Sequence, residues 1–121
     1  MSDFHNTPYL DEVPIIKKTY DLYKLYYGYL ALFPKKDKYA LGNKCELYLV
    51  AVLELLLAAG SLPKDRKGEA IQQASVKFDA LKVFLRMQRE FGLLDNKKYL
   101  TLQTPIQEIG RMLGGWQRSL K

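Results

Sequence analysis

The chain has 121 residues, room for one ordinary domain, and its 48% hydrophobic and 26% charged content excludes a disordered protein. The formal net charge is +6, and three of the 13 acidic residues (Asp3, Asp11, Glu12) precede any Lys or Arg. The rest of the chain therefore sets 19 basic against 10 acidic residues, a net of +9 that favours polyanions such as nucleic acid or acidic lipid over a neutral partner. A single cysteine, Cys45, excludes an internal disulfide and a thiolate metal cluster.

Residues 1–12 read as an acidic leader. They lack the basic-then-apolar order of a signal peptide, and they hold the only histidine, His5. Pro14 suits the first turn of a helix, where its missing N–H costs nothing. Ile16, Tyr20, Tyr23, Tyr27 and Leu30 then recur at steps of three and four and predict one inward face. Leu22, Leu25, Tyr26, Tyr29 and Leu32 widen it. Pro34 is the expected stop, with Lys35, Lys36, Asp37 and Lys38 as a charged connection.

The second helix is expected over 39–59, with Leu41, Cys45, Tyr48, Val52, Leu55 and Ala59 as one stripe and Leu49, Leu53 and Leu56 beside it. Gly60 is the expected cap, Pro63 follows it, and Lys64 to Gly68 read as a polar turn. The third helix is expected over 69–91, with Ile71, Ala74, Phe78, Leu81, Phe84, Leu85 and Phe91 inward. Gly92 then serves as C′ residue, and Asp95 or Asn96 as the next N-cap. The fourth helix is expected over 97–120, with Leu102, Ile106, Ile109, Leu113, Trp116 and Leu120 inward. Pro105 predicts a kink or a break near Thr104, which would itself cap a fresh helix with Gln107 in a capping box. Four helices with short connections make the expected fold class all-α, an antiparallel up-down four-helix bundle over 13–121.

Catalysis is not expected. No Ser-His-Asp or Cys-His pair can be assembled around His5, and no two carboxylates pair on an inward face. Glu54, which interrupts an apolar helix, suits solvent or a bonded lysine or tyrosine. The Gly110-Arg111-Met112-Leu113-Gly114-Gly115 run lacks the lysine and preceding strand of a phosphate loop, and its glycines suit close approach of a neighbouring helix. No metal and no cofactor is expected. The longest apolar run, Leu47 to Ala59, is broken by Glu54 and too short to span a bilayer, so the expectation is a cytoplasmic protein without membrane contact.

Two features exceed what one bundle needs. The second helix is apolar on nearly every side, and the first carries Tyr20, Tyr23, Tyr26, Tyr27 and Tyr29, which predicts self-association through Leu49, Leu53, Leu56 and Tyr26. On the third helix, Lys82, Arg86 and Arg89 fall within about 60° of one another at 100° per residue. That stripe suits a phosphate backbone, with Lys35, Lys36 and Lys38 as a second cluster.

Three segments carry a resemblance. Pro14-Ile15-Ile16-Lys17-Lys18-Thr19-Tyr20-Asp21-Leu22-Tyr23 resembles the opening of the accessory variability determinant proteins of diversity-generating retroelements. Phe33-Pro34 with Lys38-Tyr39-Ala40-Leu41-Gly42 resembles their first interhelix turn. Ile109 to Trp116 resembles their C-terminal signature and is the most specific of the three. The wider group includes four-helix-bundle proteins encoded in ribosomal-RNA intervening sequences. The resemblance implies a ring-forming homopentamer of four-helix bundles, a reverse transcriptase partner, and a nucleic-acid ligand, RNA or DNA. It implies a non-catalytic accessory role in error-prone copying of a template RNA into cDNA. Two other readings stay open: a bundle protein that binds structured RNA alone, and a structural oligomer or adaptor whose charge is incidental.

Overall fold

The structure, a computed structural model, describes residues 13–120. The acidic leader 1–12 and His5 lie outside the described residues. Helix α1 is Pro14–Leu30, with Pro14 in its first turn. Helix α2 is built from three consecutive stretches: a single α turn Lys35–Asp37, a π-helical turn Lys38–Gly42 and the α-helix Asn43–Ser61. Helix α3 is Lys64–Glu90 and α4 is Asn96–Ser119. All the regular structure among the described residues is helical.

Each helix packs on two neighbours: α1 on α2 and α4, and α3 on α2 and α4, with α2 against α3 the most extensive pair. The core they enclose is made of Ile16, Leu22 and Tyr26 from α1, Cys45, Leu49, Val52 and Leu56 from α2, Ile71, Phe78, Leu81 and Leu85 from α3, and Leu102, Ile106, Ile109 and Leu113 from α4. Apolar burial of this kind is what stabilises helices too short to persist alone.

Several boundaries differ from the sequence expectation, each for a local reason. Helix α1 ends at Leu30, four residues before Pro34, because Phe33 turns back into the core and meets the Tyr26 ring edge-on at 6.3 Å. The Lys35–Lys38 segment is helical and not a loose connection, with Pro34 at its N-cap position. Gly60 does not cap α2. The helix runs on to Ser61, and the Lys67 ammonium donates to the carbonyl of Ala59 at 2.5 Å, a cation placed at the negative end of the helix. The expected polar turn 64–68 is the start of α3, since Pro63 ends one helix and stands at the N-cap of the next.

Helix α4 runs unbroken through Pro105. A proline in a helix interior costs about 3 kcal/mol relative to alanine, and the carbonyl it orphans is that of Thr101, an exposed residue where water can bond it. Leu102 and Ile106, both buried, hold the helix on either side.

The α3–α4 connection follows the expected chemistry. Gly92 takes φ +80, and the Leu93 N–H donates to the carbonyl of Gln88 at 2.8 Å, closing a glycine C-cap that residues with a Cβ enter poorly. The Asp95 side chain accepts from the Lys98 N–H at 2.8 Å as N-cap of α4.

The inward face of α1 is rotated from the expected one. Ile15, Ile16, Thr19, Leu22, Tyr26 and Leu30 are buried, whereas Tyr20 and Tyr23 are half-buried and Tyr27 is exposed. Leu32 and Phe91 also stand in solvent. Both lie past the last turn of their helices, where the 3.6-residue period no longer applies.

Candidate nucleic-acid interface

The end of the bundle that carries the α1–α2 and α3–α4 connections is organised by one buried amide. Gln88 of α3 is fully buried. Its Nε2 donates to the Leu41 carbonyl at 3.0 Å and to Cys45 Sγ at 3.1 Å, and its Oε1 accepts from the Tyr26 hydroxyl at 3.0 Å. This links α1, α2 and α3 around the π turn. Gly42 closes the same region, because a Cβ there would collide with the Leu30 side chain. Burial pushes the Cys45 thiol up to about 12, so it stays protonated and unreactive. The Tyr26 phenol is raised above its ordinary value for the same first reason, burial.

On that scaffold sit the two sets of cations read from the sequence. Lys35 and Lys36 are exposed and Lys38 is half-buried. Among the described residues no carboxylate lies within ion-pair distance of any of the three. The α3 stripe differs. Lys82 pairs with Asp79 at 3.1 Å, Arg86 pairs with Glu90 at 3.5 Å, and the Arg89 guanidinium lies 4.5 Å from the centre of the Tyr99 ring. Lys82 and Arg86 are exposed and Arg89 is half-buried.

Lys82 also borders a groove of about 450 Å³ between α3 and α4, lined by Gln103, Ile106, Gln107, Gly110 and Arg111. Arg111 was not among the cations singled out by spacing. The signal for it was the row Gln103, Gln107, Arg111 at steps of four on one face of α4. A Cβ at Gly110 would meet nothing within 4 Å beyond its own helix backbone, and one at Gly114 or Gly115 would meet only the Arg118 side chain, at 3.3 and 3.9 Å. The glycines therefore do not seat a neighbouring helix of the same subunit, contrary to expectation.

The residues expected at a subunit interface divide. Leu49, Leu56 and Tyr26 are core residues of the single subunit, with 0–1% exposure. Leu53 is half-buried. Exposed apolar surface on α2 is supplied instead by Leu47 and Leu57. On α1, Tyr20, Tyr23, Lys24 and Tyr27 line a shallow hollow of about 400 Å³. The Tyr23 hydroxyl donates to Glu46 Oε2 at 2.9 Å, and burial, then that bond, push its phenol up to about 12. Glu54 is exposed on α2. No helix among the described residues is long and apolar enough to cross a membrane.

A sequence comparison finds no match among curated proteins. The profile of the family described as bAvd-like matches residues 13–120, the whole of the four-helix body described above. The three segments that resemble accessory variability determinant proteins all fall inside that match, and the chain belongs to the bAvd-like family.

Proposed function

We propose that this chain is a non-catalytic accessory subunit of a diversity-generating retroelement, a cytoplasmic protein that binds nucleic acid and the element's reverse transcriptase to support mutagenic cDNA synthesis. The observation that carries the reading is the family match over residues 13–120, joined to a cationic cluster at Lys35, Lys36 and Lys38 that no carboxylate of the described residues neutralises. Unpaired surface cations are the groups that displace counterions from a phosphate backbone. The experiment is co-purification of the chain with the reverse transcriptase, and affinity for RNA and DNA at several salt concentrations. Binding that does not weaken with salt, or no complex with the enzyme, overturns it.

The subunit is read as an up-down bundle. Three contacts support that course: Gln88, late in α3, donates to the carbonyl of Leu41, early in α2; Gln117, at the end of α4, donates to Gln72 in the first third of α3; and Lys98, at the start of α4, lies over Tyr29 near the end of α1.

The assembly is read as a ring-like homo-oligomer, a pentamer, joined through the tyrosine hollow on α1 and through Leu47, Leu53 and Leu57 on α2. Light scattering then gives a mass several times 14.0 kDa. Leu53→Lys lowers that mass and stays helical, whereas Leu49→Lys unfolds the subunit because it buries a charge. A monomeric wild type at micromolar concentration rejects the ring.

A further inference from the structure

The cationic end of the bundle also exposes rings. Phe91 is 62% exposed and Tyr39 68% exposed, so both present most of their ring to solvent. Phe91 is the C-cap residue of α3, held by its N–H bond to the Met87 carbonyl at 2.8 Å and followed by the Gly92 turn. Tyr39 sits in the π turn of α2, which Gln88 ties to α3 through the Leu41 carbonyl. The two rings therefore stand on segments, the π turn of α2 and the C-terminal end of α3, that this bond fastens to each other at one end of the molecule. Lys35, Lys36 and Lys38 flank Tyr39, and Arg89 and Lys97 flank Phe91 in sequence. Of the carboxylates near these rings, Glu90 is committed to Arg86 and Asp95 to capping α4, which leaves Asp37 against Lys35, Lys36 and Lys38.

We propose that this end is a stacking platform for single-stranded nucleic acid, with Phe91 and Tyr39 taking unpaired bases and Lys35, Lys36 and Lys38 taking the intervening phosphates. The proposal rests on the nucleic-acid reading above and adds the strandedness of the ligand and the rings that read it. Every base has a π-face, so exposed rings among cations suit single strands of any sequence. A duplex keeps its bases stacked on each other and offers exposed rings no free base face. An anionic membrane shares the charge preference, but lipid-surface binding uses one continuous amphipathic helix. Here the rings come from two different helices, Tyr39 from the π turn of α2 and Phe91 from the C-cap of α3.

The test measures binding of the full chain to labelled oligothymidylate of about 20 nucleotides, to a mixed-sequence duplex of the same length, and to phosphatidylserine–phosphatidylcholine vesicles. The variants are the doubles Tyr39→Leu/Phe91→Leu and Tyr39→Ala/Phe91→Ala, with circular dichroism and light scattering as controls. The corresponding single Leu variants are read in the same way should a double lose helicity. Leucine keeps apolar area and removes the π-face. Each single Leu variant is expected to weaken oligothymidylate about five- to a hundredfold, the range of one lost base–aromatic stack, and both doubles by more than either single. Duplex affinity and salt slope stay within about twofold, since the phosphate contacts remain. Equal losses on both nucleic acids, or none, overturn the platform and leave the nucleic-acid reading standing. Vesicle binding kept by the Leu double and lost by the Ala double, with oligothymidylate unaffected, assigns this end to a membrane instead. A wild-type chain that binds neither nucleic acid overturns both readings.

Discussion

Lys35, Lys36 and Lys38 on the first turns of α2 and Lys82, Arg86 and Arg89 on α3 are equal sets by count and unequal by physics. The α3 set lies on a long helix, where carboxylates three or four residues away are neighbours on the same face, and Asp79 and Glu90 occupy those places. Its third member is spread over the Tyr99 ring. The α2 set has one carboxylate in the same stretch, Asp37, and it pairs with none of them. Three cations against one carboxylate make the stronger local field, although the α3 stripe reads better on a helical wheel. Spacing places charges on a face; intrahelical partners decide how much of each charge remains for a ligand.

The scaffold under the α2 set is the first place to break this difference. Gln88→Ala removes the acceptor of the Tyr26 hydroxyl and the donor to the Leu41 carbonyl, and leaves a hole in the core. The expected loss is roughly 3–5 kcal/mol, from the stranded polar groups and the cavity together. Denaturant unfolding measures it. A loss below about 1 kcal/mol would mean the amide is replaceable by water and does not hold the turn. Next comes the set itself. Lys35→Gln/Lys36→Gln/Lys38→Gln is expected to lower oligonucleotide affinity about ten- to a hundredfold at 0.1 M salt and to flatten the salt slope by about two. An unchanged slope transfers the phosphate contacts elsewhere.

The helices were legible from residue period alone, since Cys45, Val52, Phe78, Leu81, Ile106 and Leu113 all fall on expected stripes and are buried. What the period could not supply was phase. On α1 tyrosines occur on several sides, so an apolar count cannot tell Tyr26, which is buried, from Tyr27, which is 63% exposed. Burial of Tyr26 depends on an acceptor 62 residues away, Gln88, whose place follows the stripe Phe78, Leu81 and Leu85 but whose amide carries no local mark of the partner it meets. The π turn was equally silent, because Gly42 is needed only once Leu30 packs against it. In the candidate site the cations were legible and their pairing was not. Asp79 and Glu90 are visible at the right spacing, but whether a side chain closes the pair depends on what else it meets.

The stripe on α3 supplies the third prediction. Lys82→Gln/Arg86→Gln/Arg89→Gln is expected to lower the same affinity only about two- to fivefold, because paired surface charges contribute a fraction of what unpaired ones do. Helicity and oligomer mass stay as in the wild type. A loss larger than that of the α2 triple inverts the comparison and moves the main contact to α3, with Arg111 and the groove beside Lys82 as its extension.

The smallest effect is also the most direct probe of pairing. Asp79→Asn/Glu90→Gln keeps the shapes of both side chains and removes their charges, so Lys82 and Arg86 lose their partners while the backbone is untouched. Surface ion pairs of this kind are worth about 0.3–0.5 kcal/mol each on a helix. Stability should therefore fall by less than about 1 kcal/mol. Binding should move the other way. The two freed cations raise the net charge of the α3 face by two, and oligonucleotide affinity is expected to rise about two- to fivefold at low salt, with a slope steeper by up to about one or two counterions. The gain should vanish toward 1 M salt, where the Debye length is about 3 Å. The same exchange at Asp37→Asn should give less, since that carboxylate pairs with no cation of the α2 set. If the α3 double leaves affinity unchanged while the α3 triple weakens it, the two carboxylates were never restraining the stripe, and the contrast between the two sets must come from position on the surface rather than from pairing.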